Sequence, residues 1–198
     1  MIQKLVIATN NLKKAGEMLT ILSARFPEME IVTLADYEGA PEPEETGTTY
    51  NENSRIKAES AFDFTGEWCV ADDAGLEIDA LDGAPGLYSK RFGGEDLPFP
   101  EKMAMILEKL RDAKTRAARF RCNVALIGPG YPCQVFEATC EGEISDQRSG
   151  AGGFGYDPIF FLPEQNCTMA DLTAEQKHQI SHRGKVLSMV GDEIARLR

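Results

Sequence analysis

The chain has 198 residues, of which 42% are hydrophobic and 27% charged, a composition typical of one large globular domain or of two lobes that share a core. Its formal net charge of −11 argues against duplex nucleic acid or an anionic membrane surface as a partner. We find no apolar run of membrane-spanning length and no signal-peptide pattern, so a cytoplasmic location is expected. The five scattered cysteines form no C-x-x-C pair, which favours a reducing compartment.

The chain begins with a pattern of strand, polar loop and helix. Residues 4–9 form an apolar run that predicts a strand, and residues 13–26 carry apolar side chains at helical spacing. The loop between these two segments contains Thr9, Asn10, Asn11, Lys13 and Lys14. Such groups at a helix start can bind phosphate, although the Walker A pattern is absent. A capped helix start without any ligand explains the same residues.

A long polar loop follows the second predicted strand, residues 29–34. The loop spans residues 36–49 and carries Glu42, Glu44 and Glu45. Loops of this length in compact domains are more often functional than decorative, but loop glutamates are usually solvated, so composition alone makes a metal ligand of Glu44 the less favoured interpretation.

The next helix is predicted over residues 50–64. It places Asn53 and Lys57 one turn apart. These two side chains either face a triphosphate or lie in solvent.

Two adjacent carboxylates, Asp72 and Asp73, follow an apolar approach at residues 68–71. We expect a strand to end at this pair, with a second short strand after Gly75 and a turn at residues 83–86. Paired carboxylates before a glycine can hold a divalent cation or take a proton from water. A plain turn, in which Asp caps its own backbone, explains the pair equally well.

The second half of the chain predicts a helix, a hairpin and a glycine-rich loop. Residues 98–110 are amphipathic, and residues 119–127 and 133–144 read as strands around a Gly-Pro turn, suited to a sheet interior or a dimer surface. The loop 150–157 is rich in glycine and holds Phe154 and Tyr156, which either stack on a base or belong to a simple connection.

Residues 158–162 predict a further strand, and Thr173 and Gln176 form a capping box before a short helix. A last helix ends the chain. His178 and His182 lie four residues apart, but a zinc site is poorly supported because no third ligand is nearby.

Five motifs, taken together, resemble the inosine/xanthosine triphosphate pyrophosphatases over nearly the whole length. In order they are ATNNLKK, EETG followed by NENSRIKA, ADDAGLEIDALDGAPGLYSKRF, GGFGYDPIFF and KHQISHRGK. The resemblance implies an α/β fold with a long, bent mixed sheet flanked by helices, in which residues 1–198 form one domain of two lobes with a nucleotide cleft between them. It also implies a homodimer that uses Mg²⁺ to hydrolyse dITP, ITP, XTP and dXTP to the monophosphate and pyrophosphate.

The resemblance assigns roles to particular residues. Asp73 matches the general base and one metal ligand, Glu44 matches the other metal ligand, and Lys57 matches a catalytic phosphate contact. The positions that match substrate contacts are Thr9, Asn10, Asn11, Leu12, Lys13, Lys14, Ala74, Phe154, Gly155, Tyr156, Asp157, Lys177, His182 and Arg183.

Base selection is expected to follow from hydrogen-bond polarity, because N–H donors such as those of Arg183 suit the 6-keto oxygen of hypoxanthine and xanthine. Three positions depart from the family pattern. Ala74 stands where the family commonly has Ser, which removes a hydroxyl contact to substrate, Lys90 stands where a small residue is usual, and Ser54 replaces a usual Ala.

Two other functions fit parts of the same pattern. A metal-dependent phosphomonoesterase would use Asp72 and Asp73 as nucleophile and acid, and would release orthophosphate. A nucleotide-binding module without turnover is the non-enzymatic alternative, although the presence of Asp73, Glu44 and Lys57 argues against it.

Overall fold

The computed structural model describes residues 2–198, which contain seven β-strands and five α-helices. In chain order these elements are β1 (Lys4–Ile7), α1 (Leu12–Arg25), β2 (Glu30–Thr33), α2 (Tyr50–Thr65), β3 (Trp68–Ile78), α3 (Phe99–Lys109), β4 (Ala117–Gly128), β5 (Tyr131–Ile144), β6 (Phe160–Leu162), β7 (Cys167–Thr168), α4 (Ala174–Ile180) and α5 (His182–Leu197). The predicted fold class, α/β with a mixed sheet and flanking helices, is confirmed. None of the helices in this part of the chain is long and apolar enough to cross a membrane.

The seven strands form one sheet in the order β2-β1-β3-β4-β5-β6-β7. β1 pairs in parallel with both β2 and β3, with Val6 opposite Val32 on one side and Cys69 on the other. β6 pairs antiparallel with β5 and with β7. Parallel strands are covered on both faces, which explains why β1 reads as a continuous apolar run. The predicted capping box at the start of α4 is confirmed, with Thr173 and Gln176 bonded reciprocally.

The chain divides into two compact units. The first contains the chain up to Asp73, together with Cys122–Ala138 and Arg183–Arg198. Its core includes small and β-branched side chains such as Val6 and Ala58. All the parallel strand pairs described above lie in this unit.

The second unit contains Ala74–Arg121 and Thr139–His182. Larger side chains such as Ile106 and Phe160 fill its core, and Phe160 packs against Phe120 with ring centroids 4.5 Å apart. That the whole chain acts as one nucleotide-hydrolysing domain stays a prediction.

The predicted strand end at the two aspartates is wrong. β3 continues from Trp68 through Asp72, Asp73 and Gly75 to Ile78 without a turn. Polar residues and a glycine normally interrupt a strand pattern, but here cationic side chains from other elements compensate the carboxylates. The pair therefore lies in the middle of a long strand.

The strand predicted over residues 158–162 is only partly correct. A short 3₁₀ turn, Asp157–Ile159, comes first, and the strand begins at Phe160. Pro158 explains the difference, because proline has no N–H for a strand ladder but is tolerated in the first turn of a helix.

Candidate active site

The position of Asp72 and Asp73 on β3 sends their side chains to opposite faces of the strand, because successive residues of a strand alternate. Both are buried, Asp72 almost completely. Each carboxylate meets a different set of partners. All members of the two sets belong to the first unit.

The Asp72 cluster consists of Asp72, Lys14, Arg183 and Glu17. The Lys14 Nζ lies 3.2 Å from Asp72 Oδ2, and the Arg183 Nη2 donates to the same oxygen at 2.9 Å. The Arg183 Nη1 donates to Glu17 Oε2 at 2.7 Å. Within the described residues, Asp72 Oδ1 has no hydrogen-bond partner. Two carboxylates and two cations thus neutralise one another in the interior.

The electrostatics make Asp72 a permanent anion. Burial opposes its charge, but Lys14, Arg183 and Lys57 outweigh that effect and hold its pKa well below the usual carboxyl range. The neighbouring Cys122 thiol has a pKa raised to about 12 by burial and by the Asp72 charge. A carboxylate held in this way cannot accept a proton near neutral pH, so it acts as a counter-ion.

The Asp73 cluster consists of Asp73, Asn53, Lys57 and Glu45. Asn53 Nδ2 donates to Asp73 Oδ2 at 3.3 Å, and Lys57 Nζ donates to Asp73 Oδ1 at 3.2 Å. Lys57 also donates to Glu45 Oε1 at 2.7 Å. Because Asn53 and Lys57 are one turn apart on α2, the helix holds both oxygens of the carboxylate.

The pKa of Asp73 moves in the opposite direction from that of Asp72. Burial raises the pKa of Asp73, and the nearby charges of Glu45 and Asp72 add to this, while Lys57 and Lys14 only partly offset it. Burial also opposes the charge of Lys57, but the surrounding carboxylates outweigh it and raise the pKa of Lys57. The ammonium therefore stays charged beside a carboxyl group whose affinity for protons is increased.

The loop before α2 brings the Glu45 carboxylate to Lys57 in this cluster, although both Glu44 and Glu45 are exposed. The assignment of Glu44 as a metal ligand stays a prediction, and Glu45 is a neighbour of Asp73 that the sequence analysis missed. Adjacent loop glutamates carry no periodicity that would reveal which one turns toward Lys57.

The start of α1 is capped by Asn11. Its Oδ1 accepts from the backbone N–H groups of Lys13 at 3.1 Å and Lys14 at 3.2 Å, and Thr9 Oγ1 accepts from the Asn11 N–H. Asn10 is exposed, and the Leu12 side chain is too, at 79%. The capped helix start is confirmed, and it means that a phosphate at this loop would depend on the ammonium groups of Lys13 and Lys14 more than on those two N–H groups.

A second cluster of predicted residues lies within the second unit. Asp157 Oδ2 accepts from the Lys177 Nζ at 2.7 Å and from the Phe154 backbone N–H at 2.8 Å. The Lys177 Nζ also lies 4.7 Å from the centroid of the Phe154 ring. Gly153 has φ +66, and a Cβ there would come within 2.1 Å of Asp157 Oδ2, so only glycine fits. The loop thus presents an aromatic ring next to a buried ion pair.

The other predicted residues of the second unit make contacts of the kind that support a fold. The Tyr156 hydroxyl donates to the Ser89 carbonyl at 2.8 Å inside the core, and Gly155 has φ +67. His182 stacks on Phe120 with ring centroids 4.7 Å apart. Ala74 is partly buried on β3. In residues 2–198 no group of three or more His, Cys, Asp or Glu is placed to hold a metal ion.

Comparison with known proteins identifies the family. Residues 5–192 match the model of the Ham1 family. The chain belongs to the Ham1 family. It is 45% identical over 186 residues to the dITP/XTP pyrophosphatase of Exiguobacterium sibiricum, covering 93% of each chain. It is 43% identical over 193 residues to that of Geobacillus kaustophilus, covering 96% of this chain and 94% of the relative.

Solved structures agree with this assignment. The Ham1 protein of Staphylococcus aureus superposes with a TM-score of 0.89 at 37% identity, covering 98% of this chain and all of that one. The Ham1 protein of Coxiella burnetii gives a TM-score of 0.88 at the same identity. The family resemblance inferred from the motifs is therefore confirmed.

In this member of the Ham1 family, the structure groups the predicted residues within each unit. Lys14 and Arg183 meet at Asp72 in the first unit, and Lys57 meets Asp73 there. Sequence reasoning missed Glu17 and Glu45, since neither stands out from ordinary surface glutamates before the fold is known.

Proposed function

We propose that this chain is a nucleoside triphosphate pyrophosphohydrolase that converts dITP, ITP, XTP and dXTP to the monophosphate and pyrophosphate, and so removes deaminated purines from the nucleotide pool. Relatives at 43–45% identity over nearly the full length are dITP/XTP pyrophosphatases. The observation that carries the proposal is the Asp73 carboxylate, buried in mid-strand and held by Asn53 and Lys57.

The Asp73 cluster has the chemistry that hydrolysis between the α- and β-phosphates requires. The reaction needs an oriented water, neutralisation of charge on the phosphate oxygens and a stabilised leaving group. Burial brings the pKa of Asp73 upward, toward the range in which a carboxylate removes a proton from water efficiently. Lys57 lies beside it to stabilise developing negative charge, and Lys13 and Lys14 supply further cations at the start of α1.

A divalent cation fits this cluster, and we propose Mg²⁺. Asp73 and Glu45 both approach the single ammonium of Lys57, so the two carboxylates exceed the positive charge between them, and oxygen ligands are those that Mg²⁺ prefers. Two protein carboxylates would leave the remaining coordination positions to water and phosphate oxygens. Glu44 remains the second ligand suggested by the family resemblance. When bound, the cation would neutralise phosphate charge.

The family resemblance assigns base recognition to Phe154, Asp157, Lys177 and Arg183. The Phe154 ring beside a buried ion pair offers both an aromatic face and fixed polar groups. Arg183 is the predicted donor to the 6-keto oxygen. Its guanidinium is held by Asp72 and Glu17, and we propose that these carboxylates fix its orientation.

The proposal includes a homodimer in the cytoplasm that acts on small-molecule nucleotides. The net charge of −11 supports the absence of duplex nucleic acid and of an anionic membrane surface among its partners.

The test is to incubate the purified protein with Mg²⁺ and ITP, XTP, GTP or ATP, and to quantify pyrophosphate and orthophosphate separately. We expect pyrophosphate from ITP and XTP and little from GTP and ATP. Orthophosphate as the sole product would favour a phosphomonoesterase. Nucleotide binding without any product would favour a binding module.

A further inference from the structure

Asn53 on the first turn of α2 is a buried polar residue that is not among the predicted catalytic, substrate-binding or metal-binding residues. Its side chain is 5% exposed, and it makes one hydrogen bond in each of two directions. The Nδ2 donates to Asp73 Oδ2 at 3.3 Å, and the Oδ1 accepts from the Gly47 backbone N–H at 2.9 Å. The side chain therefore stands between Asp73 and the loop that precedes α2.

The chemistry of these two partners determines the orientation of the amide. A carboxylate only accepts and a backbone N–H only donates, so the amide nitrogen must face Asp73 and the amide oxygen must face Gly47. The reversed orientation would place like groups against each other on both sides. An amide side chain can donate on one side and accept on the other without any change of protonation state.

The contact with Asp73 complements that of Lys57. Asn53 holds Oδ2 and Lys57, one helical turn later, holds Oδ1. A carboxylate bonded through both oxygens to one rigid helix has its plane defined, which a single ion pair to a flexible lysine would not achieve. A general base must point a lone pair at its water, and small displacements of reacting groups lower the rate sharply.

The contact with Gly47 extends this control to the loop. A Cβ on Gly47 would lie 2.6 Å from Asn53 Oδ1, so the loop backbone passes directly against the amide. Two residues earlier the same loop carries Glu45, which pairs with Lys57. The Asn53 side chain is thus the link between the backbone of this loop and the Asp73 carboxylate.

We propose that Asn53 is a positioning residue for hydrolysis. It orients the Asp73 carboxylate, and it holds the loop that carries Glu45 at a fixed position relative to that carboxylate. The inference rests on the proposed function, in which Asp73 is the base. The rival explanation is that Asn53 only tethers the loop and supports the fold.

Two substitutions separate these explanations. Asn53→Ala removes both hydrogen bonds, whereas Asn53→Asp keeps an acceptor for the Gly47 N–H and replaces the donor to Asp73 by a repelling carboxylate. If Asn53 orients Asp73, both variants lose activity, and Asn53→Asp loses at least as much as Asn53→Ala. If Asn53 is only a loop tether, Asn53→Ala lowers the melting temperature while kcat of the folded protein stays near wild type.

The experiment measures kcat and KM for ITP with Mg²⁺, alongside circular dichroism and thermal unfolding. We expect kcat of both variants to fall by about 10- to 100-fold, with KM changed by less than about threefold, because a misaligned base slows the chemical step more than substrate binding. Asn51→Ala is the matched control, since Asn51 is exposed on the same helix turn, and it should leave both constants unchanged.

A double-mutant cycle with Asp73→Asn gives a readout that a structural role would not produce. If Asn53 acts through Asp73, adding Asn53→Ala to Asp73→Asn lowers kcat by no more than about twofold. If the two residues act independently, the loss of kcat in the double variant equals the product of the two single losses. Wild-type kcat in both single variants, multiplying effects in the cycle, or loss of the folded state in both variants would each overturn the proposal. A wild-type protein inactive on ITP and XTP would instead reject the proposed function itself.

Discussion

Asp72 and Asp73 are neighbours in sequence and lie on the same strand, yet their surroundings give them opposite properties. The Asp72 cluster surrounds a fully buried carboxylate with Lys14 and Arg183 and drives its pKa down. The Asp73 cluster gives its carboxylate one ammonium and one amide, and burial drives its pKa up. The first carboxylate is held as an anion, and the affinity of the second for a proton is increased.

The difference shows that the number of cations near a buried carboxylate, and not burial alone, sets the direction in which its pKa moves. Burial disfavours the charged form of both residues. Two direct cationic partners overcome this effect at Asp72, while Lys57 at Asp73 is shared with Glu45. Four substitutions or conditions test this contrast, in order of decreasing effect.

The largest expected effect is on the activity of Asp73→Asn. We expect kcat for ITP to fall by about 10² to 10⁴-fold, the usual contribution of a general base. The melting temperature should be unchanged or higher, because the amide removes a charge that burial disfavours. A near-normal kcat would mean that the general base is another residue, and that Asp73 does not differ from Asp72 in function.

Asp72→Asn should have the opposite effect from Asp73→Asn. It should lower the free energy of unfolding more than it lowers kcat. The substitution removes the counter-ion that Lys14 shares with the buried Arg183, and such a loss typically costs about 3–5 kcal/mol. Urea unfolding monitored by circular dichroism measures this loss, with Asp73→Asn as the matched control. Equal stability of the two variants would show that the Asp72 cluster contributes no more than the Asp73 cluster.

The contributions of Asp72 and Asp73 to the free energy of unfolding should change with pH in opposite directions. The folded-state pKa of Asp72 is depressed, so its contribution is present above the ordinary carboxyl pKa of about 3.9 and is lost as the pH falls below it. The folded-state pKa of Asp73 is raised, so its contribution is present below that ordinary value and is lost as the pH rises through the raised pKa.

Urea unfolding at several pH values between 3 and 7 checks these signs. Relative to wild type, Asp72→Asn should lose less stability on acidification, and Asp73→Asn should lose more. If the free energy of unfolding changed with pH in the same way for all three proteins, the pKa shifts assigned to Asp72 and Asp73 would be wrong.

The smallest expected effect is that of Gly47→Ala, which alters no charged group. Its Cβ would lie 2.6 Å from both Asn53 Oδ1 and Glu52 Cβ, so the loop must shift at a cost of about 1–3 kcal/mol, and kcat should fall with it. Gly16→Ala is the control, because nothing beyond its chain neighbours and the backbone of its own helix lies within 4 Å of the added Cβ, and an exposed helical glycine changed to alanine should stabilise the fold by up to about 1 kcal/mol. If Gly47→Ala changed neither the free energy of unfolding nor kcat, the Asp73 cluster would tolerate movement of the loop.

The sequence by itself determined most of the secondary structure and the family. Apolar periodicity predicted α1, α2 and α3, the capping box of Thr173 and Gln176 marked the start of α4, and five ordered motifs identified the family. These signals are local, because they depend on side-chain spacing along one element or on short runs of residues. The exceptions were β3, where the Asp-Asp-Ala-Gly run is locally typical of a turn, and β6, where Pro158 lies in a 3₁₀ turn before the strand.

The family resemblance already assigned the base to Asp73, but only the tertiary structure showed that Asp72 is a counter-ion, that Glu45 is the glutamate beside Lys57, and that Asn53 is buried against Asp73. The physical reason is that a pKa depends on burial and on charges that the fold brings together. Arg183, which holds Asp72, lies 111 residues further along the chain. No spacing rule within the Asp-Asp pair contains that information.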